Sequence, residues 1–185
     1  MEILNSPIKE LVLLKPSLYK DERGDFIETY NQKEFTRAGV TEKFVQDNQS
    51  RSKKNVLRGL HFQLAPFEQG KLIRVVKGEV LDVAVDIRKY SATYLQYYAV
   101  LLSEENNYQL WIPPGFAHGF LSLKDDTVVN YKCTQFYNKN SDAGIRWNDP
   151  DIGIAWGINN PILSVKDSEL PFLKEYEISI ERTEK

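Results

Sequence analysis

Leu72-Ile-Arg-Val-Val76, followed by Lys77-Gly78-Glu79 and then Val80-Leu-Asp-Val-Ala-Val-Asp-Ile87, is the stretch whose reading decides the fold. Two runs rich in β-branched residues, joined by a short polar turn that contains a glycine, read as an antiparallel hairpin. In the second arm Leu81, Val83, Val85 and Ile87 fall on one side of the pleat and Asp82 and Asp86 on the other, so one face is expected to meet the core. The same grammar continues outward. Residues 94–102, 109–112, 116–123 and 128–134 read as strands on the C-terminal side, and 3–14, 26–30 and 44–48 on the N-terminal side. A polar turn at Asp21-Glu22-Arg23-Gly24 separates the first two of these, and only 31–38 reads as a helix, with Asn31 to cap it and Gly39 to end it. Many short strands and few helical segments predict an all-β, antiparallel sandwich or barrel.

Length and composition bound the rest. A chain of 185 residues with 42% hydrophobic side chains can bury one substantial core. Linkers, low-complexity segments and repeats are absent, so one domain over residues 1–185 is expected. The 24 basic and 26 acidic residues are well mixed, which gives no face for tracking a nucleic-acid backbone. The first residues lack a basic lead and an apolar signal core, and the run Leu11–Leu14 is too short to span a membrane. A cytoplasmic chain with neither a nucleic-acid nor a membrane partner is the expectation. Cys133 is the only cysteine, which rules out an intrachain disulfide and a thiolate metal cluster. Its apolar surroundings mark it as a small core residue.

Chemistry concentrates in Leu57-Arg-Gly-Leu-His61-Phe-Gln-Leu-Ala-Pro-Phe-Glu-Gln-Gly-Lys71, which sets a cation on either side of one of only two histidines. Imidazole titrates nearest neutrality, so His61 is a candidate base as well as a candidate structural hydrogen-bonder. Strict alternation would place Arg58 and His61 on opposite faces, a conflict that a bulge at Gly59 would relieve. The second histidine, His118, follows the stiff turn Pro113-Pro114-Gly115. Two His-bearing strands in one small barrel suggest a jelly roll with a polar pocket in its mouth. A transition metal would want three or four converging ligands; two histidines outside any His-x-His pair supply only part of such a set, so the alternative to a metal-free pocket is a two-His site completed by carboxylates.

Four motifs, Arg58-Gly-Leu-His-Phe-Gln, Gln69-Gly-Lys-Leu-Ile-Arg-Val-Val-Lys-Gly-Glu, Gln109-Leu-Trp-Ile-Pro-Pro-Gly-Phe-Ala-His-Gly-Phe and Gly144-Ile-Arg-Trp-Asn-Asp-Pro-Asp, closely resemble dTDP-4-dehydrorhamnose 3,5-epimerases in order and spacing. The likeness runs from about Asp21 to Asp167. The resemblance implies a metal-free cupin jelly roll, a homodimer and no cofactor. Its implied substrate is dTDP-4-dehydro-6-deoxy-D-glucose, inverted at C3 and C5 on the way to dTDP-L-rhamnose. It further implies His61 as base with Asp167 as its dyad partner, Tyr131 as acid, and Lys71 beside the C4 oxygen. Substrate contacts are implied for Arg23, Glu28, Gln46, Asp47, Asn48, Arg58, His118, Asp142 and Lys166, with Tyr137 stacked on thymine. Arg23 and Glu28 are implied to serve the pocket of a partner copy. Three departures concern the pocket: Asp25 and Ala65 at the rim, and Asp142 where a glutamate is usual. A 3-mono-epimerase, a related keto-sugar epimerase and a catalytically silent nucleotide-sugar-binding cupin are the alternatives.

Overall fold

The computed structural model describes residues 1–177. Residues 178–185, which the single-domain expectation included, lie outside the described residues.

Thirteen strands are arranged in two large antiparallel sheets and one separate hairpin among the described residues. In chain order they are β1 (Glu2–Leu4), β2 (Val12–Lys15), β3 (Leu18–Asp21), β4 (Gly24–Ile27), β5 (Gln46–Ser52), β6 (Leu57–Gln63), β7 (Lys71–Lys77), β8 (Glu79–Asp86), β9 (Tyr97–Ser103), β10 (Gln109–Ile112), β11 (Phe116–Ser122), β12 (Thr127–Cys133) and β13 (Asp142–Gly144). The six-stranded sheet has the order β1-β2-β10-β7-β12-β5, the five-stranded sheet β13-β6-β11-β8-β9, and β3 pairs only with β4. Consecutive strands such as β7 and β8 lie in different sheets, so the expected β7–β8 hairpin turns the chain from one layer to the other rather than pairing its arms. The all-β antiparallel jelly-roll expectation holds.

Helix α1 (Gln32–Arg37) starts where Asn31 accepts a hydrogen bond from the Lys33 amide at 3.0 Å, as its side chain led one to expect. The expected strand over 3–14 is instead two, β1 and β2, paired with each other around a turn in which Ser6 and Pro7 interrupt the ladder. The expected strand at 44–48 begins later and runs through Ser52, although Gln46-Asp-Asn-Gln-Ser-Arg-Ser52 contains no apolar residue. Seven consecutive pairs with β12 hold it in place, and that partner is invisible to local propensity.

The hydrophobic mass forms three layers. Between the sheets lie Ile73, Val75, Leu110, Ile112 and Val129 from one side and Val80, Ala84, Phe116 and Phe120 from the other. Outside the six-stranded sheet, Phe35 and Val40 pack on Leu14, Leu72 and Trp111. Outside the five-stranded sheet, Val83, Val85, Ala117 and Leu121 are covered by Ile145, Ile152, Trp156 and Leu173. The expectation of one core face on the 80–87 arm is therefore corrected. Both faces of β8 are buried: residues 145–173 cover the side of Leu81, Val83 and Val85, and Asp82 and Asp86 are turned with Val80 and Ala84 toward the six-stranded sheet, where they are fully enclosed.

Candidate active site

Polar side chains enter one end of the sandwich by strand alternation. The burial of β5 alternates, with Gln46, Asn48 and Ser50 partly covered on the inner side and Asp47, Gln49 and Arg51 exposed on the outer. Across the ladder, Tyr131 pairs with Asn48, and Cys133 pairs with Lys71 and Gln46, so these residues share the inner face of the six-stranded sheet. From the opposite sheet come His61 and His118, directly paired across β6 and β11. The register between these strands slips by one residue, with Arg58 opposite Phe120 and His61 opposite His118. The extra residue on β6 is the expected bulge at Gly59. It brings Arg58 and His61 to the same cleft, and a Cβ there would lie 2.8 Å from the His118 carbonyl.

The cleft has two connected chambers that share His61, Lys71, Tyr131 and Lys166. The inner one, of about 220 Å³, adds Ser50, Arg58, His118 and Asp167; the outer one, of about 350 Å³, adds Gln46, Asn48, Tyr137 and Asp142. His61 thus faces Tyr131 across the gap between sheets. Lys71 spans the gap, its Nζ donating to the His61 carbonyl at 3.4 Å.

The His61 Nε2–H donates to Asp167 Oδ1 at 2.5 Å, which leaves Nδ1 as the ring nitrogen with a lone pair. Asp167 stands on α2 (Val165–Ser168), a short helix capped by Ser164, whose Oγ accepts from the Asp167 amide at 3.0 Å. Burial alone would raise the Asp167 pKa, but the hydrogen bond and charge of His61, with Ser164 and Lys166, outweigh it and hold the carboxyl below its ordinary range. His118 is buried, and its Nε2–H donates to both oxygens of Asp82, at 2.9 and 3.1 Å. Desolvation lowers the Lys71 pKa, opposed by Cys133, Asp82 and Asp142. Desolvation raises that of Tyr131, so the phenol keeps its proton through the neutral range.

At the mouth, Asp142 Oδ2 accepts from the Tyr137 hydroxyl at 3.0 Å and from Lys166 Nζ at 2.5 Å, while Gln46 Oε1 accepts from the Tyr137 amide at 3.0 Å. Tyr137 is 56% exposed and offers a flat ring at the entrance. Arg58 is braced by Ser52 Oγ at 3.1 Å and the Arg51 carbonyl at 3.2 Å.

Eleven of the residues singled out from sequence meet here: Gln46, Asn48, Arg58, His61, Lys71, His118, Tyr131, Tyr137, Asp142, Lys166 and Asp167. Three do not. The Asp47 side chain points to the outer face, where Lys132 donates to it at 3.0 Å, because its neighbours Gln46 and Asn48 take the inner side. Arg23 and Glu28 lie on or next to the β3–β4 hairpin, with Arg23 paired to Asp21 and Glu28 accepting from Asn31 at 3.1 Å. Sequence reasoning missed Ser50, Asp82, Ser164 and Gln63. Gln63 ties together the loops at the mouth through Phe67, Phe136 and Asn138. The i, i+2 spacing of Gln46, Asn48, Ser50 and Ser52 was the available signal for Ser50; nothing local marked Asp82. Among the described residues no group of three His, Cys, Asp or Glu side chains is placed to hold a metal ion.

An imidazole braced by a carboxylate on one wall, a phenol on the other and an ammonium between them can move a proton off one face of a carbon acid and deliver one to the other. The comparisons with known proteins agree with such a site. The family described as dTDP-4-dehydrorhamnose 3,5-epimerase matches residues 5–175. A dTDP-4-dehydrorhamnose 3,5-epimerase of Shigella flexneri is 52% identical over 90% of this chain and 93% of its own. The crystal structure of a dTDP-4-dehydrorhamnose 3,5-epimerase from Bacillus anthracis, with TDP and PPi bound, superposes with a TM-score of 0.91 at 45% identity, covering 93% of this chain and 99% of its own. A Legionella pneumophila dTDP-6-deoxy-D-glucose-3,5-epimerase in complex with dTDP-4-keto-L-rhamnose gives 0.90 at 47% identity, over 94% and 93%.

Proposed function

Because the chain belongs to the dTDP-4-dehydrorhamnose 3,5-epimerase family, we propose that it inverts C3 and C5 of dTDP-4-dehydro-6-deoxy-D-glucose with His61 as base, Tyr131 as acid and Lys71 as enolate stabiliser. The observation that carries this assignment is the facing of the His61–Asp167 pair and Tyr131 from opposite sheets across one cleft.

The C4 ketone acidifies the hydrogens at C3 and C5. His61 Nδ1 takes a proton, the electron pair left on carbon moves onto the C4 oxygen, and the Lys71 ammonium, held between the sheets in a partly dehydrated setting where a fixed charge acts strongly, stabilises it. Asp167 holds the ring in the productive tautomer and stabilises the imidazolium. Tyr131 then gives its proton to the opposite face of the same carbon, which inverts it. His61 has gained one proton and Tyr131 has lost one, so exchange with solvent restores both, and no electrons leave the substrate. The ketone supplies the activation, and the reading asks for no metal or cofactor.

Arg58 and Lys166 supply donors for sugar and pyrophosphate oxygens, His118 lines the inner chamber beside them, and the exposed Tyr137 suits a thymine face. Gln46, Asn48 and Asp142 line the same outer chamber. Arg23 and Glu28 are read as serving a second copy in a homodimer. This is supported by the absence of both residues from the cleft lining in one chain and by the exposure of Tyr19 (63%) and Phe26 (67%) on the same hairpin. A further support is a groove on the outer face of the six-stranded sheet, where Gln109 Oε1 and Asn130 Oδ1 are buried without a hydrogen-bond partner beside Arg74. The reading treats residues 1–185 as one domain acting in the cytoplasm; no helix among the described residues is long and apolar enough to cross a membrane. Light scattering should give about twice the 21.4 kDa chain mass.

Incubation with the 4-keto sugar in deuterium oxide, followed by NMR, tests the function. Label at C3 and C5 with inverted product is the expected result. Label at C3 alone makes the protein a mono-epimerase, and no label makes it a binding module.

A further inference from the structure

The motif Gly144-Ile-Arg-Trp-Asn-Asp-Pro-Asp151 touches no part of the cleft through its Arg146 and Asp149 side chains, yet both residues are bonded to the segment that carries Asp167. It begins on β13, where Gly144 pairs directly with His61 on β6. A Cβ at Gly144 would lie 2.6 Å from the Leu60 carbonyl and 2.8 Å from Leu170, so only glycine lets the chain pass between the His61 strand and the returning segment.

Two residues further on, the guanidinium of Arg146 reaches over to that segment. Its Nε donates to the Leu170 carbonyl at 2.9 Å and its Nη2 to the Ser168 carbonyl at 3.1 Å, while its Cζ lies 4.7 Å from the centroid of the Phe172 ring. The Arg146 amide donates to the Pro171 carbonyl at 2.8 Å. Ser168 is the last residue of the four-residue helix that holds Asp167, and a cation is well placed against carbonyls at a helix end. Asp149, almost fully buried, accepts from the Leu173 amide at 2.7 Å with one oxygen and from the Asp151 and Ile152 amides with the other.

A helix of four residues has little stability of its own, so its position is set by what grips its ends. Ser164 caps the start and Arg146 the finish. We propose that Arg146, backed by Asp149, is a positioning residue of the reaction: it clasps residues 168–173 to the His61 strand and so fixes Asp167 against the imidazole. The inference rests on the epimerase reading and adds a part to it that touches no substrate.

Arg146→Met keeps much of the side-chain bulk and loses the fork. With the 4-keto sugar, kcat should fall about tenfold with KM within about twofold, since a small displacement of the carboxylate costs rate rather than binding. In an Asp167→Asn background the same change should cost less than about twofold, because the group through which Arg146 acts is already gone. Arg146→Lys, which keeps the charge and one donor, should fall between Met and wild type. An unchanged kcat in Arg146→Met, or the same loss in both backgrounds, overturns the inference. Should Arg146→Met fail to fold, Phe172→Leu removes only the ring beneath the guanidinium and is judged by the same comparison. An imidazole ¹⁵N spectrum separates this inference from the parent reading, because it needs no turnover. The two histidines give two sets of signals, and Arg146→Met should move those of His61 and leave those of His118 in place. Unmoved His61 signals sink the clasp even in an active enzyme; moved signals in a protein that does not turn over the sugar support the clasp and count against the epimerase reading.

Discussion

Both histidines of this chain donate from Nε2 to an aspartate, yet the two pairs are built for different ends. His118 and Asp82 stand on neighbouring strands 36 residues apart, with side chains 8% and 0% exposed. His61 is 30% exposed and draws its carboxylate from a segment 106 residues away. The first pair is an enclosed fixture of the sheet, with a ring held in one orientation. The second has an accessible ring nitrogen and a partner that arrives from outside the barrel. Similar side-chain chemistry thus yields a fixed donor in one place and a base in the other, and access decides which.

The comparison breaks first at His61. Replacement by alanine should lower kcat on the order of 10³-fold and abolish deuterium incorporation at both C3 and C5. If exchange survives that change while His118→Ala abolishes it, the roles are reversed.

Tyr131→Phe gives the next largest effect, about 10²-fold on inversion, with substrate deuterium exchange persisting because the proton still leaves toward His61 and returns from the same face. His118 lies on the same sheet as His61, so it cannot take over delivery from the far wall. Inversion at the wild-type rate in Tyr131→Phe would show that the acid is some other group.

Stability sharpens the contrast. His118→Ala leaves Asp82 enclosed without its hydrogen-bond donor and should cost about 2–3 kcal/mol in denaturant unfolding. His61→Ala should cost less, since Asp167 keeps its place beside the cleft and next to Lys166. Equal losses would mean that the two pairs are equally structural.

The smallest effect is one of pH. The folded Asp167 carboxyl titrates below its ordinary value, so its contribution is complete above the unfolded pKa and is lost as pH falls through the folded one. The stability advantage of wild type over Asp167→Asn, about 1 kcal/mol at neutral pH, should therefore hold down to about pH 4 and shrink only below it. An advantage that disappears between pH 6 and 7 would point to a different group.

Much of this could be read before any coordinates. The Asn31 cap and the Gly59 bulge each rest on local stereochemistry, and both are found. β5 reads short in the sequence because a strand of Gln, Asp, Asn, Ser and Arg has no apolar period to find; its ladder to β12 makes it a strand. Asp47 reads with Gln46 and Asn48 as one run, although alternation sends it to the other face. From sequence Asp82 reads as one of two acids on a polar face, because the segment that buries the other face of β8 lies some sixty residues downstream.

The sequence by itself determined an antiparallel β fold, a single histidine between two cations as the centre of the chemistry, and a family likeness that assigned roles to His61, Lys71, Tyr131 and Asp167. These rest on side-chain type and on periods of two, which the chain carries locally. Only the tertiary structure decided that both faces of β8 are buried, that His61 and Tyr131 look at each other from different sheets, and that Arg146 grips the helix of Asp167. Those facts depend on hydrogen bonds and contacts between residues tens to a hundred positions apart, and such pairings are set by the packing of the layers rather than by any local pattern.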